Sequence, residues 1–139
     1  MIKGELKSSI VDTLLTFFNG KPASVILYGS YAEDREMPYS DIDLLIILDK
    51  DFSDWREKRR IEVSLRRETS SLGQISPKLI SEREFISALE NYNPLILNVL
   101  SSGKALYDTG FFEKEKKHFE KIIRKKIAKT EEGYWEVAL

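Results

Sequence analysis

Leu6, Ile10, Leu14, Phe17 and Phe18 recur at helical spacing, which predicts an amphipathic helix over residues 5–18. Asn19-Gly20 stops it, and Pro22 follows. Residues 24–28, SVILY, form a short β-branched and aromatic run, long enough for one buried strand. Gly29-Ser30 interrupts that run, and residues 31–40 are mostly polar. DIDLLIILD then predicts a second strand over 41–48. Its apolar stretch from Leu44 to Leu48 is nearly continuous, as in a strand covered on both faces. Ser53 or Asp54 is placed to cap a helix running to about Ser70, whose thin apolar face puts it on the surface. Residues 73–80, GQISPKLI, predict a weaker strand, and Pro77 assigns it an edge position or a bulge.

Ser81 and Glu84 form a capping box ahead of Phe85, Ile86 and Leu89. Asn93-Pro94 opens a further helix that ends near Gly103. Residues 105–107 suit a short last strand. A charged amphipathic helix is predicted from Phe111 to about Lys129, carrying Phe119, Ile122, Ile123 and Ile127. Helices and strands alternate. The expected fold class is therefore α/β (α+β): a mixed sheet of about four to five strands flanked by helices.

Composition narrows the function classes. A chain of 139 residues is the size of one domain. A formal net charge of −1 disfavours general nucleic-acid binding by phosphate neutralisation. The absence of cysteine removes disulfides, zinc–thiolate sites and cysteine nucleophiles, and fits a reducing, cytoplasmic setting. The first residues, MIKGELKSSIVDTLL, do not read as a signal peptide, and no apolar run is long enough to span a membrane.

The chemistry concentrates in VILYGSYAEDREMPYSDIDLLIIL, Val25 to Leu48. A strand alternates its side chains, so Asp41 and Asp43 share one face while Ile42 points to the core. Two adjacent carboxylates repel unless a cation sits between them. All-oxygen ligands suit Mg2+ or Mn2+, with substrate phosphates completing the shell. Gly29 lets the backbone approach a phosphate closely, and free N–H groups of a helical turn starting at Ser30 would favour an anion. Gly29 and Ser30 are thus candidate nucleotide-binding residues, and Asp41 and Asp43 candidate metal-binding and catalytic residues.

Gly-Ser, a ten-residue spacer and Asp-x-Asp together resemble the signature of the DNA polymerase beta-type nucleotidyltransferase superfamily, and within it the minimal nucleotidyltransferases. Gly29-Ser30-Tyr31-Ala32 matches the family's GSxA, and Ser40 to Leu44 matches its SDIDL. The resemblance covers residues 5–108. It divides the chain into a nucleotidyltransferase domain, 1–108, and a C-terminal helical extension, 109–139, packed on the domain or on a partner. It implies transfer of a nucleoside monophosphate, AMP from ATP above all, to a hydroxyl of a protein or small molecule. It also implies a helical HEPN-type partner in a toxin–antitoxin pair; an oligomer is open.

Two departures stand out. Glu33 and Asp34 occupy positions where the family often has a basic residue and a glycine, leaving Arg35 as the nearest cation. A third carboxylate, expected on the strand after the long helix, is missing from GQISPKLI, which leaves Glu62 or Glu68 of the helix as substitutes. The alternative function is accordingly a weakened nucleotide-binding antitoxin or regulatory subunit acting by protein contact. His118 reads as a surface residue, the basic run 114–129 as a solvated helix, and Trp55, Tyr134 and Trp135 as packing anchors.

Overall fold

A computed structural model describes residues 2–20 and 22–137, with the side chain of Ile122 left outside the description. Helix α1 (Gly4–Phe17) precedes strand β1 (Pro22–Tyr28) and strand β2 (Ile42–Leu48). Helix α2 (Trp55–Glu68), strand β3 (Ile75–Ser81), helices α3 (Glu82–Glu90) and α4 (Pro94–Ser102) and strand β4 (Lys104–Asp108) follow. Helix α5 (Phe111–His118) continues into a π-helical turn, Phe119–Ile123, and then strands β5 (Ile127–Lys129) and β6 (Trp135–Val137). The main sheet has the order β3-β2-β1-β4, with β1 antiparallel to β2 and β4 and β3 parallel to β2. It is the mixed, helix-flanked sheet that the periodicity predicts.

Both faces of this sheet are covered, which explains the near-continuous apolar run of β2. Leu44 and Ile46 pack on one face with Val25, Leu27, Ile10, Leu14 and Leu65. Leu45 and Ile47 pack on the other with Ile26, Phe85, Leu97 and Leu100. Caps fix the helices at the expected places. Ser81 and Glu84 form the reciprocal capping box of α3, and Asn93 Oδ1 accepts from the N–H groups of Leu95 and Ile96 at the start of α4.

Strand β3 lies at the sheet edge, as Pro77 suggests. N–H groups two residues apart on a strand point to the same side. The missing N–H of Pro77 therefore falls on the side where Leu79 N–H donates outward to Glu62 Oε2 at 2.9 Å, and no ladder bond is lost.

The C-terminus differs from the predicted continuous helix. The Arg124 N–H donates to Phe119 O at 2.8 Å, an i→i+5 bond that widens the last turn. A hairpin replaces the remaining helix, closed by Thr130 N–H to Tyr134 O at 2.7 Å, with Gly133 at φ 94 in the turn. Folding back buries Ile127 beside Phe119 and Ile123, in the same cluster as Phe85, Leu97 and Phe112. That burial outweighs the helix propensity of the basic run. The apolar stripe of the segment thus closes the core instead of facing outward. Trp135 matches the packing-anchor expectation, its ring edge-on to Phe119 and its Nε1–H donating to Asn98 Oδ1 at 3.0 Å. Trp55 and Tyr134 do not: each is 69% exposed.

Candidate active site

The site lies where β1 ends and β2 begins. Antiparallel pairing sets Tyr28 directly opposite Asp43, so the Gly29 turn and the aspartate pair meet at one end of the sheet. Ile42 is buried, Asp43 is half-buried and Asp41, just ahead of β2, is exposed. The alternation expected of Asp41-Ile42-Asp43 is therefore present.

Gly29 adopts φ 73, a conformation that L side chains rarely adopt. A Cβ placed on it would collide with Asp43 Oδ2 and lie 3.3 Å from Asp43 Cγ. The glycine therefore serves both the turn and the seating of the Asp43 carboxylate. No α-helix starts at Ser30. Residues 30–34 form a turn, in which the N–H groups of Ala32 and Glu33 donate to Gly29 O at 3.1 and 3.2 Å, and Arg35 N–H donates to Ser30 O at 2.8 Å. The N–H groups of Ser30 and Tyr31 are not spent in those bonds. A turn with free leading N–H groups offers the same anion-facing geometry as a helix start, on a smaller scale.

Burial and the neighbouring Asp41 charge push the Asp43 carboxyl above its usual range, and Lys78 partly offsets this. Ionising the half-buried carboxyl beside Asp41 is therefore costly without a nearby cation. That is the electrostatic condition under which a divalent cation fits. Among the described residues, no three His, Asp or Glu side chains gather as a metal cluster, so the candidate donor set is the Asp41–Asp43 pair. Tyr28 is raised to about 12, first by burial, then by the charges of Asp43 and Glu62, and stays a protonated phenol.

The other flank of Asp43 is β3. Parallel pairing sets Ser76 opposite Asp43 and Lys78 opposite Leu45. Ser76 Oγ accepts from Arg66 Nη2 of α2 at 3.3 Å. Neither helix carboxylate supplies a third acid directed at the pair. Glu62 holds the edge N–H of Leu79, and Glu68 lines a surface groove with Asp12, Thr13 and Phe17 of α1. Arg35 pairs with Glu33 at 3.2 Å in the exposed turn. Tyr28, Lys78 and Arg66 are the neighbours that sequence reasoning missed. The alternation of β3, with Ser76 and Lys78 on one face, carried the signal, but only its pairing with β2 shows which face matters.

Residues 8–130 match the nucleotidyltransferase domain family. A Methanocaldococcus jannaschii protein named for protein adenylyltransferase activity is 36% identical over 121 residues, covering 83% of this chain and 80% of the relative. Two solved structures share the fold. A toxin–antitoxin with AMP-PNP aligns with a TM-score of 0.52 at 18% identity, over 82% of this chain and 89% of that one. Spectinomycin adenyltransferase from Enterococcus faecialis, with ATP and spectinomycin, aligns with a TM-score of 0.51 at 16% identity, over 81% of this chain and 59% of that one.

Proposed function

We propose, from the premise that this chain belongs to the nucleotidyltransferase domain family, that it transfers AMP from ATP to a hydroxyl group of a protein. The observation that carries the reading is the β1–β2 register, which puts the Gly29 turn against the Asp43 carboxylate. The relative of M. jannaschii supports the adenylyl group and a protein acceptor. The toxin–antitoxin structure with AMP-PNP is consistent with a partner protein as that acceptor, for which the sequence resemblance implies a helical HEPN-type chain.

In this reading Asp41 and Asp43 would hold Mg2+ or Mn2+, which would supply positive charge against the triphosphate and the transition state. Ser30 and Tyr31 direct backbone N–H groups at the phosphates. Gly29 leaves room for the phosphate chain and for Asp43 at once. The acceptor oxygen bonds to the α-phosphorus as the bond to the bridging oxygen breaks. Pyrophosphate leaves, and the hydroxyl proton passes to solvent. Lys78 offsets part of the site's negative charge.

A second reading rests on Ser76 and Lys78, which stand on β3 where a third carboxylate would complete the site. In it the chain binds nucleotide and restrains a partner by contact. One experiment separates the two: α-labelled ATP, Mg2+ and the product of the neighbouring gene, incubated with this protein. Label on the neighbour, lost in Asp41→Asn and Asp43→Asn, supports transfer. Metal-dependent ATP binding by calorimetry without label supports contact alone. Equal ATP binding in chelator removes the metal from both.

A further inference from the structure

A groove of about 370 Å³ opens along α2 and β3, and its lining nearest the aspartate pair is Leu45 and Lys78, two residues further along β2 and β3 than Asp43 and Ser76. Its accessible apolar lining is Ile80 and Leu95, both half-buried, together with the fully buried Leu45, the next residue after Asp43 on that face of β2. Lys78, Arg59 and Trp55 form its rim. Trp55 is 69% exposed, with the Arg56 guanidinium 5.1 Å from its ring centre, and offers the groove an accessible aromatic surface.

The charges of the rim are unequal. Lys58 pairs with Glu84 at 2.8 Å, while Glu62 accepts from the Leu79 N–H and keeps its charge, so Lys58, Arg59 and Lys78 against Glu62 and Glu84 leave the lining one positive charge in excess. Lys78 and Arg59, both exposed, are left as the groove's cations. Helix α2 behind them carries six basic and three acidic side chains, whereas the whole chain has a formal net charge of −1. Positive potential is thus concentrated on the helix that borders the groove.

The location adds direction. The Gly29 turn flanks Asp43 from β1, and β3, whose Lys78 opens the groove two residues beyond the Asp43–Ser76 pair, lies on the opposite side of β2. In an in-line displacement the attacking and leaving oxygens lie on opposite sides of the phosphorus. With the phosphates at the turn, the acceptor arrives from the groove. We infer that the groove between α2 and β3 docks an acidic peptide segment of the acceptor protein, its carboxylates on Arg59 and Lys78 and an apolar or aromatic side chain against Ile80, Leu95 and Trp55. This rests on the transferase reading for its purpose, but the docking is measurable without any transfer.

The probe is a fluorescein-labelled random copolymer of glutamate and tyrosine, with a lysine–tyrosine copolymer as its charge-reversed counterpart. Anisotropy at near-physiological salt is expected to show saturable binding of the first and at least tenfold weaker binding of the second. Arg59→Glu and Lys78→Glu are each expected to weaken glutamate–tyrosine binding at least fivefold, and Trp55→Ala about threefold. These positions are on the surface, and circular dichroism checks that the variants fold. Lys7→Glu with Lys114→Glu, twice the charge change of either groove variant but outside the groove, is expected to leave binding within twofold. No binding of the glutamate–tyrosine copolymer, or equal loss in the control pair, would overturn the proposal. Calorimetry with ATP and Mg2+ on the unaltered protein is read separately: copolymer binding without nucleotide binding refutes the transferase reading and leaves the docking site standing, and the reverse result does the opposite.

Discussion

The Asp43 carboxylate occupies the space that a side chain at Gly29 would need. The turn that offers N–H groups and the strand that offers carboxylates are therefore not independently variable. Gly29→Ala is expected to lower stability by about 1–3 kcal/mol, from strain at positive φ and displacement of Asp43. It is also expected to weaken metal-dependent ATP binding at least tenfold. Denaturant unfolding and calorimetry measure the two effects, and a variant as stable as the parent would show that the carboxylate moves aside freely.

Asp43 should oppose stability at neutral pH. Its carboxyl is raised in the folded state by burial and by Asp41. Such a group favours the fold when protonated, and that contribution fades as pH rises through the folded value. Asp43→Asn is thus expected to raise Tm by a few degrees at pH 7 while abolishing nucleotide transfer. The advantage should shrink as the pH falls below the ordinary carboxylate range. A lower Tm at pH 7 would mean that the carboxylate holds the structure together.

Tyr28 makes the corresponding prediction at high pH. Its phenol is raised from 10.0 to about 12. The stability it confers is complete below pH 10 and is lost as pH climbs towards 12. Tyr28→Phe should flatten that part of the pH–stability curve. Asp43→Asn should bring the tyrosine's titration, followed by absorbance, to lower pH, because one of the charges raising it is gone.

Glu62 is expected to matter as an acceptor and not as an acid. Glu62→Ala strands the Leu79 N–H at the β3 edge and should cost about 1–3 kcal/mol. Glu62→Gln keeps a carbonyl oxygen there and should cost much less. Comparable losses in both variants, seen by chemical denaturation, would point to the charge instead.

Phe119 is fully buried and touches the ring of Trp135 edge-on. Phe119→Ala should cost about 3–5 kcal/mol. Truncation after Asp108 removes Phe112, Phe119, Ile123 and Ile127 from one cluster and should abolish cooperative thermal unfolding. A truncated chain that still melts cooperatively would make the segment dispensable to the core.

Local signals determined a good deal of this protein. The alternation in Asp41-Ile42-Asp43 specified which side chains share a face, and β2 keeps it. Ser81 with Glu84, and Asn93 with Pro94, marked helix starts that the hydrogen bonds confirm. Pro77 marked an edge strand, because a strand inside a sheet would lose a bond there. Each signal spans a few residues and acts through geometry that the chain cannot avoid.

Tertiary structure decided the rest. Nothing in GQISPKLI says that it pairs parallel to β2, yet that pairing puts Ser76 and Lys78 beside Asp43. Glu62 and Glu68 look alike in the sequence. One turns to the β3 edge and the other to α1, because α2 has one neighbour on each side. The run after Phe119 has helical spacing, but Ile127 reaches the core only if the chain folds back as a hairpin, and Trp55 looks like a core residue until the packing leaves it open. These outcomes depend on contacts between residues far apart in the chain. Their energies come from area buried against a particular neighbour, and no local pattern specifies which neighbour that is.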